Sequence, residues 1–336
     1  MTPVLNNLVH NQSSHCESGV VSNMLSTNGF NISEPMAFGI SSAMSFAYLP
    51  FVKVAGMPLI AYRMPPKTII NTVTKKLGIT LHREKFSSAE KGMAKLDEVL
   101  AEGKVVGLQT SVYWLPYFPD EMRFHFNAHN LMVYGIDAND HYQISDPVFE
   151  HTVTCPKRDL EKARFSKGAL APKGLMYWVD NVPKQVDLTP HIYSGIKKTA
   201  KMMAGLPVPG INLFGTQGME KLAKDIERLD RKPKKYRHLF LAHIVRMQEE
   251  IGTGGAGFRF MFASFLDEAA NYTNNQAMFE ASQMATEIGD NWRNLASLAV
   301  NHCRSKTPVP LSDIAAQLRD CAKQETELRA RLLAIK

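Results

Sequence analysis

Cysteine is scarce: four residues in 336, at positions 16, 155, 303 and 321, are too few and too scattered for a disulfide framework. No C-x-x-C pair occurs and no cysteine–histidine spacing fits a structural zinc site, so no metal is expected. Long apolar runs are scarce as well. The longest weakly charged stretch, 36–62, is interrupted by Pro50, Lys53 and Pro58, which argues against a membrane span and for buried chain or the wall of an apolar pocket. The opening residues, M-T-P-V-L-N-N-L-V-H, have neither the basic head nor the apolar run of a secretory leader, and the expected location is the cytoplasm, where thiols stay reduced. Internal repeats and low-complexity tracts are absent.

What the chain does have is enough apolar residue, 45%, to build one large or two ordinary cores. Its net charge of +7 is moderate and carried mainly by the half after residue 185. The one dense basic run, R-L-D-R-K-P-K-K-Y-R at 228–237, reads as a solvated loop between helices. A phosphate-bearing ligand or an acidic protein partner is the alternative use of such a patch. Nucleic acid is not expected as a partner.

The two halves follow different patterns. Residues 16–28 suit a helix that begins at Cys16 and stops at Asn28-Gly29. Further helices are expected over 69–77 and 88–102, the latter opening S-A-E-K. Strands are expected over 104–114, 129–137, 141–147 and 174–180, the middle pair joined as a hairpin through Ala138, Asn139 and Asp140. Beyond about residue 186 the strand signals stop, and apolar spacing of three and four predicts helices over 219–229, 236–251, 258–272, 276–303 and 311–335. The expected fold is α+β: a domain over 1–185 with an early helix followed by an antiparallel sheet, then an all-helical domain over 186–336.

A thiol attacks as thiolate, and the unpaired N–H groups at a helix start favour the negative charge. Cys16 occupies such a position. It needs an imidazole to exchange a proton with, and the imidazole needs an acceptor to orient it. His129 opens one strand of the hairpin and Asp146 closes the other, so the pair can meet. The order Cys, His, Asp is that of papain-like thiol enzymes. The backbone N–H of Cys16, with the side-chain amide of Gln12 or Asn11 just upstream, could supply oxyanion donors. His15 and Glu17 flank the thiol, but neighbours at a helix start point in different directions, so they are given supporting roles. Cys155, Cys303 and Cys321 read as packing or surface thiols.

The run G-T-G-G-A-G at 252–257 satisfies G-x-G-x-x-G, the pattern of a dinucleotide-binding turn. The residues before it read as a helix rather than a strand, so no bound cofactor is expected. The run is instead assigned to tight packing and to the rim of the active site, through Gly252, Gly254 and Gly255.

With these features in place, the chain resembles the butirosin biosynthesis protein H family. The likeness rests on H-C-E-S-G (15–19), S-E-P-M-A-F-G-I (33–40) with the following F-A-Y-L-P, A-H-N-L-M-V-Y-G-I-D (128–137), I-S-D-P (144–147) and I-G-T-G-G-A-G-F-R-F-M-F in the second half. The resemblance implies a papain-like fold and an acyltransferase. The namesake takes an acyl group from the phosphopantetheine arm of an acyl carrier protein and passes it to an amine of an aminoglycoside. Carried over, Cys16 would hold the acyl group, His129 would move the protons and Asp146 would orient His129. The partners implied are an acyl carrier protein and a small-molecule acceptor, and a homodimer is also considered. The basic second half would steer an acidic carrier, and M-S-F-A-Y-L-P-F-V (44–52) would line an acyl channel or form plain core. Two other readings stay open: a cysteine peptidase, amidase or thioesterase, and a non-catalytic module that binds the carrier.

Overall fold

In the computed structural model, which describes residues 7–54, 56–205 and 212–336, α1 (Cys16–Thr27) starts at the cysteine. It stops where Gly29 adopts φ +85°, a conformation that costs glycine nothing. There follow α2 (Glu34–Ile40), β1 (Met44–Val54), β2 (Met57–Arg63), α3 (Thr68–Lys76), β3 (Thr80–Glu84) and α4 (Ala89–Ala101). Next come β4 (Val106–Thr110), β5 (His129–Ile136), β6 (His141–Ser145), β7 (Val153–Pro156), α5 (Lys157–Arg164) and β8 (Met176–Asn181). The rest is helical: α6 (Thr189–Met203), α7 (Gly215–Glu227), α8 (Lys234–Val245), α9 (Arg259–Thr273), α10 (Gln276–Arg304) and α11 (Leu311–Ala334). The fold is α+β, with an early helix, antiparallel sheets and a helical C-terminal part. The chain divides into two units, Met1–Ala37 with Pro66–Val186, and Phe38–Pro65 with Asp187–Lys336.

The first unit is built on a six-stranded antiparallel sheet in the order β3-β8-β4-β5-β6-β7. Because side chains alternate along a strand, β5 presents Leu131 and Val133 to a core shared with Leu96, Leu100 and Leu160 of α4 and α5. Asn130 and Met132 therefore face the other side, where α1 packs against β4 and β5. The β5–β6 turn is closed by the Asp137 carboxylate, which accepts the N–H groups of Asn139 and His141 at 2.8 and 2.9 Å. Opposite pairing of Met132 with Ser145 brings the end of β6 beside the start of β5. That register decides where Asp146 lies.

In the second unit β1 and β2 form a two-stranded ribbon, which the sequence pattern does not announce. Phe46 and Tyr48 point into this unit's core, and the Tyr48 hydroxyl donates to Asp225 at 2.9 Å. Phe51, near the ribbon's far end, is 71% exposed. Around the buried Trp292 ring, Arg259 and Glu325 form an ion pair at 2.8 Å, and the indole N–H donates to the same carboxylate. α6 lies outside the helices expected from the sequence, although Pro190 at its start is a favourable helix opening. Gly195 is needed there: a Cβ would stand 2.6 Å from the Gly39 carbonyl oxygen. Among the described residues no helix is long and apolar enough to cross a membrane.

Candidate functional site

Each residue of H-C-E-S-G has a structural task. Cys16 is the first residue of α1 and is 8% exposed. One turn earlier, the Glu34 carboxylate accepts the backbone N–H groups of Ser14 and His15, both at 2.8 Å, and the Ser18 hydroxyl at 2.9 Å. Burial raises the Glu34 pKa, while the donors from Ser14, Ser18 and His15 oppose that rise. Glu17 reaches the other way. Its buried carboxylate accepts the N–H groups of Lys67, Ile69 and Ile70 at 3.0, 3.0 and 3.3 Å, an anionic cap on α3. Gly19 lets the incoming strand cross the helix, because a Cβ there would lie 2.6 and 2.7 Å from the Cβ atoms of Ser13 and Pro147. Ser13 donates its N–H to the Pro147 carbonyl at 2.8 Å, tying this crossing to the residue after Asp146.

The structure brings Cys16, His129 and Asp146 together. The His129 Nε2 lies 2.7 Å from Asp146 Oδ2, both side chains being buried. The imidazole also shares a hydrogen bond with the Cys16 thiol. With Nε2 taken by Asp146, that bond falls to Nδ1. Asp146 is itself held: Oδ2 accepts the Tyr117 hydroxyl at 2.8 Å and Oδ1 accepts the Val148 N–H at 3.1 Å. Phe118 packs edge-on to the His129 ring at 5.5 Å and shuts it from water. Burial alone would lower the imidazole pKa. Asp146 and Cys16 outweigh it and push His129 up to about 10, so the ring holds its proton at neutral pH. Burial, with Asp146 second, raises Tyr117 well above the ordinary phenol range, so it stays a donor.

The expected oxyanion amides are engaged elsewhere. Gln12 donates to the Val148 carbonyl at 3.0 Å, and Asn11 is bonded through both backbone and side chain to Asn23. The amide that does reach the sulphur is that of Asn130, whose Nδ2 is 4.0 Å from Cys16 Sγ. The sequence offers one signal for it: Asn130 follows His129 directly in A-H-N-L-M. Gly252, Gly254 and Gly255 lie in the second unit, in a loop where Ala256 and Phe258 also take positive φ. The Glu249 carboxylate accepts the Ala256 N–H, and a Cβ on Gly257 would meet the Tyr62 ring at 2.2 Å, so the loop serves close packing. The segment before it is helical through Glu250, as a dinucleotide-binding turn does not allow.

None of the four cysteines forms a disulfide. Burial pushes Cys155 and Cys321 up to about 12 and raises Cys303, which leaves these three protonated at neutral pH. Among the described residues, Cys16 is the one cysteine with an imidazole partner.

Two family models match the chain. One, described as butirosin biosynthesis protein H, N-terminal, spans residues 15–147, and the other, a domain of unknown function (DUF4872), spans residues 158–332. The first match begins at His15 and ends at Pro147, so it encloses Cys16, His129 and Asp146. No curated protein matches the chain.

Proposed function

The chain belongs to the family that joins the N-terminal domain of butirosin biosynthesis protein H to the DUF4872 domain, whose name points to a biosynthetic enzyme, and on that premise we propose that it is a cysteine-dependent acyltransferase. The observation that carries the reading is the hydrogen-bonded chain from Cys16 through His129 to Asp146, buried at a helix start. The donor is an acyl thioester on the phosphopantetheine arm of an acyl carrier protein, and the acceptor is an amine or hydroxyl of a small molecule.

In the resting site His129 has already taken the Cys16 proton, and Asp146 stabilises the imidazolium of this thiolate–imidazolium pair. The thiolate pair forms a bond to the thioester carbon, and the carbonyl π pair moves onto oxygen. Collapse of this adduct restores the carbonyl and breaks the bond to the carrier's sulphur, which leaves with the imidazolium proton. The acyl group then sits on Cys16. The acceptor's nitrogen or oxygen attacks it, losing its proton to His129, and the thiolate departs. The exposed basic residues Arg231, Lys232, Lys234 and Lys235, at the turn into α8, suit the acidic surface usual for a carrier protein.

The distinction between transfer and hydrolysis is made by discharging a preloaded Cys16 with and without an added amine panel. Consumption of the acyl group that depends on amine, with the acylated amine found by mass, supports the transferase. Equal discharge in amine-free buffer would make the protein a thioesterase or amidase.

A further inference from the structure

From the two side chains and one backbone carbonyl that surround its amide, and resting on the acyl-enzyme reading above, we infer that Asn130 is the oxyanion donor of this site and that Tyr177 and Gly107 position it. The orientation of the amide follows from its partners. Its nitrogen lies 3.2 Å from the Ala128 carbonyl, which only accepts, so that atom must be Nδ2. Its oxygen accepts the Tyr177 hydroxyl at 3.1 Å. One amide hydrogen serves Ala128, and the other is directed at Cys16 Sγ, 4.0 Å away. That distance is long for a bond to sulphur. An oxyanion on the attacked carbon stands off the sulphur by one C–S and one C–O bond, a reach that allows it to approach the same donor to the roughly 2.7–3.1 Å an oxyanion contact needs.

Tyr177 belongs to β8 and Asn130 to β5, with β4 between them. The phenol therefore has to cross β4, and it does so over Gly107. A Cβ at that residue would stand 2.1 Å from the Tyr177 ring. The glycine in K-V-V-G-L thus opens the path by which Tyr177 fixes the amide. Burial, with Glu17 and Cys16 next, raises the Tyr177 pKa well above its ordinary value, so the hydroxyl keeps the proton it donates.

Two reactions of Cys16 separate this role from a structural one. Acylation by a butyryl N-acetylcysteamine thioester passes through an oxyanion. Alkylation by iodoacetamide forms the C–S bond and expels iodide with none. Asn130→Ala should slow acylation of the full chain by about 10²–10³-fold and leave the alkylation rate near wild type. Tyr177→Phe, which keeps the ring, should slow acylation by roughly five- to tenfold and again spare alkylation. Parallel loss of both reactions in the two variants would overturn the inference while leaving the acyl-enzyme reading standing. A wild-type chain that alkylates at Cys16 but takes no acyl group from the thioester would overturn both.

Discussion

Replacing Asp146 by Asn tests whether the His129 proton is what keeps Cys16 reactive. Asp146 Oδ2 lies 2.7 Å from His129 Nε2, with both side chains shielded from solvent. A buried hydrogen bond between charged groups contributes about 1.5–3 kcal/mol. Asparagine keeps the volume and removes the charge, so the thiolate–imidazolium pair should lose that amount relative to the neutral thiol and imidazole. At 1.36 kcal/mol per tenfold, the fraction of reactive thiolate at pH 7 should fall by about 10- to 150-fold. The assay is the second-order rate of iodoacetamide alkylation at Cys16 from pH 5 to 10, followed by mass. The wild-type rate should persist into acid, whereas the variant should recover its rate only in alkaline solution, where an isolated thiol ionises. Thermal unfolding of both chains controls for folding, because Asp146 also accepts from Tyr117 and Val148. Superimposable alkylation profiles for Asp146→Asn and wild type would show that Asp146 does not hold the Cys16–His129 ion pair.

His129 also sets a pH dependence of stability. Its pKa is about 10 in the folded chain against the ordinary imidazole value of 6.5, so the stabilisation is complete below about pH 6.5 and is lost as pH rises toward 10; the urea-midpoint gap between wild type and His129→Gln should shrink over that window. Glu17→Ala leaves three backbone N–H groups of α3 without their carboxylate and should cost about 2–4 kcal/mol in urea unfolding, far more than the same change at the exposed Glu90. Lys234→Glu with Lys235→Glu should raise KM for an acyl carrier protein about tenfold at low salt while leaving turnover of a carrier-free thioester unchanged; equal effects on both substrates would remove the docking role.

α1 is legible in the sequence from its stop at Asn28-Gly29, the β5–β6 hairpin from two apolar runs flanking Ala138, Asn139 and Asp140, and most of the C-terminal helices from apolar residues three and four apart. The strand expected over 104–114 shrinks to Val106–Thr110 because Ser111 and Val112 bond to Ala163 and Phe126 and turn the chain into a 3-10 turn. β3 was invisible for another reason: T-L-H-R-E is an edge strand with largely exposed side chains, so it has no apolar alternation. Cys16, His129 and Asp146 were found by chain order and element type. Asn130 was not, since its approach to the sulphur depends on a tyrosine two strands away and on a glycine between them. Glu17 could not be assigned either, because its partners lie about 50 residues along the chain, at the start of α3.

Covalent linkage of an acyl group to Cys16 is the step on which the proposed transfer depends. Intact mass of the full chain, mixed with a carrier protein whose phosphopantetheine bears an acyl thioester, followed by peptide mapping, tests it. A single added acyl mass is expected on the peptide containing Cys16, absent in Cys16→Ala and strongly reduced in His129→Ala. No adduct, or an adduct that persists in Cys16→Ala, would contradict it.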